Sequence, residues 1–311
     1  MIGEIIELKE DRRIGICCEG GGAAGSYQAG MLIALQELFK DRKIKAISGS
    51  SVGGLNALSA VQQDFDQLEN MWRGLTRRQV FSYWGLLKPK SGGLYDTKPL
   101  KKLLEKNVNI REIMKSPIRL FLQATDRDRG VPIIAQNSDP ELILMALASA
   151  SILIAFPQVF VPSRGLWAVD GGVYDNSPLS WLVEQVDTRT HASCDLIFIL
   201  HCSPEQDPEQ KEGVRHRLGM VGHTVRLLYR CGQKSDERNL KFHNFLIRVG
   251  AIEGREIFVE HLYPEEDEVG TFDFDNKKIN LALDHGFSVV ENMRNEIHAA
   301  VKSVYGEEYD G

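Results

Sequence analysis

A chain of 311 residues accommodates one large domain or two ordinary ones, and 43% hydrophobic residues supply ample material for a core. The formal net charge of −6 argues against a nucleic-acid binder, which needs a basic face for phosphate contacts. Five cysteines (Cys17, Cys18, Cys194, Cys202 and Cys231) form an odd set without a C-x-x-C pair, so zinc-ribbon and dithiol redox signatures are absent and reduced thiols are expected.

Along the chain, "MIGEIIELKEDRR" carries acidic residues where a signal peptide would have a basic start and a long apolar core. Residues 1–12 therefore read as an N-terminal extension to one domain over residues 13–311, and the expected location is cytoplasmic. Residues 13–18 form a buried strand, and the helical segment 26–40 follows, with Met31, Leu32, Leu35, Leu38 and Phe39 on one face. Further strands are expected at 44–48, 118–124, 167–169, 196–201 and 256–262. Further helices are expected at 53–63, 98–107, 139–151 and 178–187. Residues 80–87, "VFSYWGLL", are uncharged and aromatic, suited to core packing or to the wall or lid of an acyl-chain site. Residues 142–163 carry no charge over about a membrane-spanning length, but Pro157 and Pro162 interrupt them, giving a buried helix, a turn and a short strand. Residues 203–240 form a polar excursion, and 276–304 a C-terminal helix. Alternating short strands and amphipathic helices predict an α/β fold: a three-layer α/β/α domain with a mainly parallel central sheet.

Three glycine sites stand on this frame. Gly20, Gly22 and Gly25 fit G-x-G-x-x-G between a strand and a helix, the pattern of a pyrophosphate-binding loop. A dinucleotide site needs an acid at the end of its second strand, yet that strand ends at Ser48 and Gly49. Gly49, Ser51 and Gly53 instead make G-x-S-x-G between strand and helix, the setting of a nucleophile elbow. Asp170, Gly171 and Gly172 close another short strand, either as a plain turn or as the base such a serine requires. All eight histidines follow Asp170, so chain order leaves a Ser-His-Asp triad open, although none of them sits in a motif.

The glycine loop at 20–25, the G-x-S-x-G at 49–53 and the Asp-Gly-Gly at 170–172 together resemble the three motifs of patatin-like phospholipases. So do "GLYDTKPLKKLLEK" (93–106), "QATDRDRG" (123–130), "ALASASILIAFPQVF" (146–160) and "DHGFSVVENM" (284–293). The resemblance implies the patatin-like fold and a serine lipid acyl hydrolase acting through a dyad, with Ser51 as nucleophile and Asp170 as base. It implies an oxyanion hole from the amides of Gly20, Gly21, Gly22, Ala23, Ala24 and Gly25, with Gly49 and Gly53 shaping the elbow and Gly171 and Gly172 the acidic turn. No cofactor and no metal is implied. The implied partner is a lipid or acyl-ester substrate with transient contact at a membrane surface, and no nucleic acid. Two residues depart from the family pattern: Ala24 replaces the usual Arg or Lys, and Leu153 stands near a frequent proline. The first departure keeps a catalytically impaired lipid-binding relative among the readings, beside a triad esterase.

Overall fold

β1 (Ile14–Cys18) is apolar and buried at every position, as a central strand covered on both faces must be. This is a computed structural model, and it describes residues 13–39, 44–83, 92–183, 194–205, 257–265 and 269–306. The N-terminal extension, residues 84–87 of the aromatic stretch, Cys231 and most of the polar excursion lie outside the described residues.

β2 (Ile44–Ser50), β3 (Arg119–Asp126), β7 (Leu196–Leu200) and β8 (Phe258–Leu262) run parallel with β1. The sheet order is β5-β6-β3-β2-β1-β7-β8, where β5 (Val159–Val161) and β6 (Leu166–Val169) are antiparallel additions. β4 (Pro132–Ala135) also pairs antiparallel with β3. Strand alternation divides the core between two faces. Ile14, Ile16, Leu120, Leu122, Phe198 and Leu200 join the larger helix-covered cluster. Cys17, Phe121, Ile197 and Ile199 point the other way, against a 3-10 turn at Leu179–Leu182. The fold is thus a single α/β domain whose central sheet is flanked by helical segments.

The larger face carries α1 (Gly25–Leu38), α2 (Val52–Val61), α3 (Phe65–Arg73) and α4 (Arg77–Val80), then α5 (Lys98–Asn107), α6 (Ile110–Lys115) and α7 (Leu142–Ser149). α8 (Asn276–Asn292) and α9 (Arg294–Tyr305) complete it. α1 crosses α8 at glycines: a Cβ on Gly30 would lie 2.1 Å from the Leu283 carbonyl oxygen, and one on Gly286 1.9 Å from that of Tyr27. The backbones approach closer than any side chain permits.

The structure corrects two expected helices. The described part of 178–187 is a short 3-10 turn, because Pro178 sits at ψ 62°, outside the α region, and Val183 is extended. The expected C-terminal helix is two helices, α8 and α9, parted at Met293, whose side chain packs on the core. The uncharged stretch at 142–163 does break into α7, a loop and β5. Among the described residues, no helix is long and apolar enough to cross a membrane.

Candidate active site

The parallel strands end on one edge of the sheet, where open α/β folds place their ligands. β2 delivers Ser51 there. Its backbone sits at φ 54°, ψ −129°, a left-handed conformation that a serine adopts only at a cost of roughly 1–3 kcal/mol. The flanking glycines make the turn possible by close approach. A Cβ on Gly53 would lie 2.2 Å from the Cys18 carbonyl oxygen, and one on Gly49 2.4 Å from that of Gly53. The Ser51 N–H donates to Ser149 Oγ (2.9 Å), and Ser149 Oγ donates to the Gln123 carbonyl (2.5 Å), so α7 and β3 hold the elbow from beneath.

Ser51 Oγ donates to Asp170 Oδ2 at 2.8 Å, although the two residues are far apart in sequence. Both are buried, Asp170 completely. Asp170 follows β6, and its other carboxylate oxygen accepts from the Gly172 N–H (2.9 Å). Its backbone is fixed on two sides: the N–H donates to the Ser151 carbonyl (3.0 Å), and the carbonyl accepts from Thr125 Oγ1 (2.9 Å). Gly171 passes so close to β3 that a Cβ would lie 2.3 Å from the Gln123 carbonyl oxygen. The structure therefore brings Ser51, Asp170, Gly49, Gly53, Gly171 and Gly172 together at one site.

The glycine loop lies on the neighbouring strand, and its amides differ in what they meet. The Gly20 N–H donates to the Asn176 carbonyl (3.1 Å) and the Ala23 N–H to the Thr271 carbonyl (3.0 Å). The Gly25 N–H turns back to Gly22 and Ala23 within a 3-10 turn at Gly22–Ala24. The Gly21 and Gly22 N–H groups have no acceptor among the described residues. Gly22 has φ +63°, and a Cβ there would meet the Thr271 carbonyl oxygen at 2.2 Å. Ala24 is buried in the apolar cluster.

A cleft, part of it open to solvent, is lined by Gly22 and Ser51. It continues along one face of α2 at Val52, Leu55, Asn56 and Ser59, against Trp72 of α3 and Leu104 of α5. None of its described lining residues is charged. Asn56 and Trp72 hold each other through the indole N–H (2.9 Å), so the polar atoms in this wall are engaged.

Both ring nitrogens of His201 are engaged, with Glu19 (2.9 Å) and His261 (2.9 Å). Glu19 in turn accepts from Asn176 Nδ2 (3.0 Å), which also donates to the Gly20 carbonyl (3.0 Å). Sequence reasoning found neither Ser149, Gln123, Asn176 nor Thr271. For Asn176 the signal was its place in "DGGVYDNSP", close behind Asp170. For α3 the signal was Asp64, whose side chain caps the Gln67 N–H, ahead of Leu68 and Trp72 at helical spacing.

Residues 16–182 match the family described as patatin-like phospholipase. No curated protein matches the sequence. Among solved structures, the chain is similar to human GIVD cytosolic phospholipase A2 at 12% identity and a TM-score of 0.51, over 96% of this chain and 62% of that one. It is also similar to VipD from Legionella pneumophila at 14% identity and a TM-score of 0.46, over 92% of this chain and 67% of that one. The chain thus spans roughly two thirds of the length of these proteins.

Proposed function

The chain belongs to the patatin-like phospholipase family, and from that premise we propose that it is a serine lipid acyl hydrolase working through a Ser51–Asp170 dyad. The observation that carries the reading is the 2.8 Å hydrogen bond from Ser51 Oγ to Asp170 Oδ2, made by a serine on a strained elbow at the mouth of an apolar cleft. Asp170 takes the hydroxyl proton as Ser51 Oγ attacks the ester carbonyl carbon. The tetrahedral intermediate then expels the alcohol or lysolipid, which takes up that proton. Water, deprotonated by Asp170 in turn, attacks the acyl carbon, and the intermediate expels Ser51 Oγ, which takes that proton back from Asp170 as the fatty acid leaves. The oxyanion is met by the amides of Gly21 and Gly22, because the neighbouring Gly20, Ala23 and Gly25 amides already have acceptors. The start of α2 adds its partial positive charge. The acyl chain lies in the cleft along α2, and the uncharged lining favours it over a polar headgroup.

A fluorophosphonate probe tests this directly. Wild type is expected to label at Ser51 alone, Ser51→Ala not at all, and Asp170→Asn at least a hundredfold more slowly. Ester turnover should fall by at least about a thousandfold in Ser51→Ala. An unlabelled wild type, beside control serine hydrolases that react, would overturn the dyad.

A further inference from the structure

Resting on the acyl hydrolase reading, we propose that Val108 and Asn107 are the end wall of the acyl cleft and set the longest chain the enzyme accepts efficiently. The cleft follows one face of α2, touching Ser51, Val52, Leu55, Asn56 and Ser59 in turn. At 1.5 Å rise per residue, Ser51 to Ser59 is about 12 Å. An extended chain advances ~1.2 Å per bond, so this length takes about ten bonds, a medium-chain acyl group.

The far end is closed by the segment that follows α5. Gln62, just past the C-terminus of α2, donates from Nε2 to the Asn107 carbonyl (3.1 Å) and accepts from the Asn109 N–H through Oε1 (3.0 Å). These two bonds pin residues 107–109 to the end of α2 opposite Ser51. On the other side of the wall lies a separate polar pocket, lined by Gln67, Lys106, Asn109 and Arg111, which shares Asn107 and Val108 with the cleft. A chain longer than the cleft must displace this wall to reach a cationic, hydrated space, so its further methylenes cost packing and gain no burial. Val108 is the apolar residue of the partition, and Ser59 is the last α2 residue that lines the cleft before it.

The test is a series of p-nitrophenyl esters from butyryl to palmitoyl, read as kcat/KM ratios within each variant. A parallel series has saturated fatty acids of the same lengths displace a fluorescent fatty acid from Ser51→Ala. In wild type, kcat/KM should rise by up to about fourfold per methylene as far as decanoyl. It should then fall at least tenfold by palmitoyl. Val108→Ala should raise the palmitoyl-to-octanoyl ratio at least tenfold, and Ser59→Phe should lower the decanoyl-to-butyryl ratio by a similar factor. The same cut-offs should appear in the displacement series when Val108→Ala and Ser59→Phe are each combined with Ser51→Ala. Ratios that stay within twofold of wild type in either folded variant overturn the wall. A wild type that hydrolyses none of the esters overturns the hydrolase reading instead, and the displacement series still decides where the cleft ends.

Discussion

Ser149 serves the elbow from both ends of its hydroxyl, accepting from the Ser51 N–H and donating to the Gln123 carbonyl. Ser149→Ala leaves both of those buried backbone groups without a partner, at about 1–3 kcal/mol each. The expected outcome is a lower Tm and a kcat reduced by roughly ten- to a hundredfold with KM little changed, because the serine loses its orientation and not its substrate. Thermal melts and ester kinetics on this variant check it. Ala24 matters differently. It is buried among apolar groups where the family usually has a cation, so in the proposed mechanism the transition-state charge is left to backbone amides and helix ends. At this scale the sequence was legible wherever a residue announces itself locally. Ser51, Asp170 and the loop glycines sit in short motifs whose spacing reflects backbone geometry. Ser149, Gln123 and Thr271 act through pairings between distant stretches of chain, and such partners leave no spacing to read.

The crossing of α1 and α8 is held by absent side chains. In Gly286→Ala, the new methyl would meet the Tyr27 carbonyl oxygen and the Met31 amide, both backbone atoms that cannot swing aside. The helices must separate, and a loss of about 1–3 kcal/mol is expected. Urea unfolding monitored by circular dichroism checks it, with Ser288→Ala on the exposed side of α8 as the control. α1 starts directly at the glycine loop, so the same variant should also slow fluorophosphonate labelling of Ser51. α1 was foreseen from its apolar spacing, but its depth was not: nearly every side from Gly25 to Leu35 is buried, including Gln28. Gln28 reaches the Glu19 and Leu200 carbonyls, a contact that exists only once β1 and β7 lie side by side.

Across the molecule, the four described cysteines are all buried, and burial pushes each thiol above its ordinary value, Cys194 to about 12. The folded state therefore favours the protonated thiol, while the unfolded chain ionises from about pH 8.5. The thiol contribution to stability is fully present below that pH and is lost as pH rises toward 12. Denaturant unfolding at a series of alkaline pH values should show this decline, and Cys194→Ala should remove part of it. Iodoacetamide at neutral pH should leave Cys17, Cys18, Cys194 and Cys202 unmodified until denaturant is added, as peptide mass spectrometry would show. The α/β class was legible from alternating apolar segments. Strand order was not, since β1 has β2 and β7 as neighbours and nothing in the local sequence records which strands meet.

The Thr271 carbonyl that receives the Ala23 amide comes from the opposite end of the described chain, beside Phe272 and Phe274 of the cleft. The glycine loop and the serine are synthesised well before the segment whose carbonyl receives the Ala23 amide. A nascent chain that has not yet reached Thr271 therefore carries the serine elbow but lacks the anchor of the glycine loop beside it.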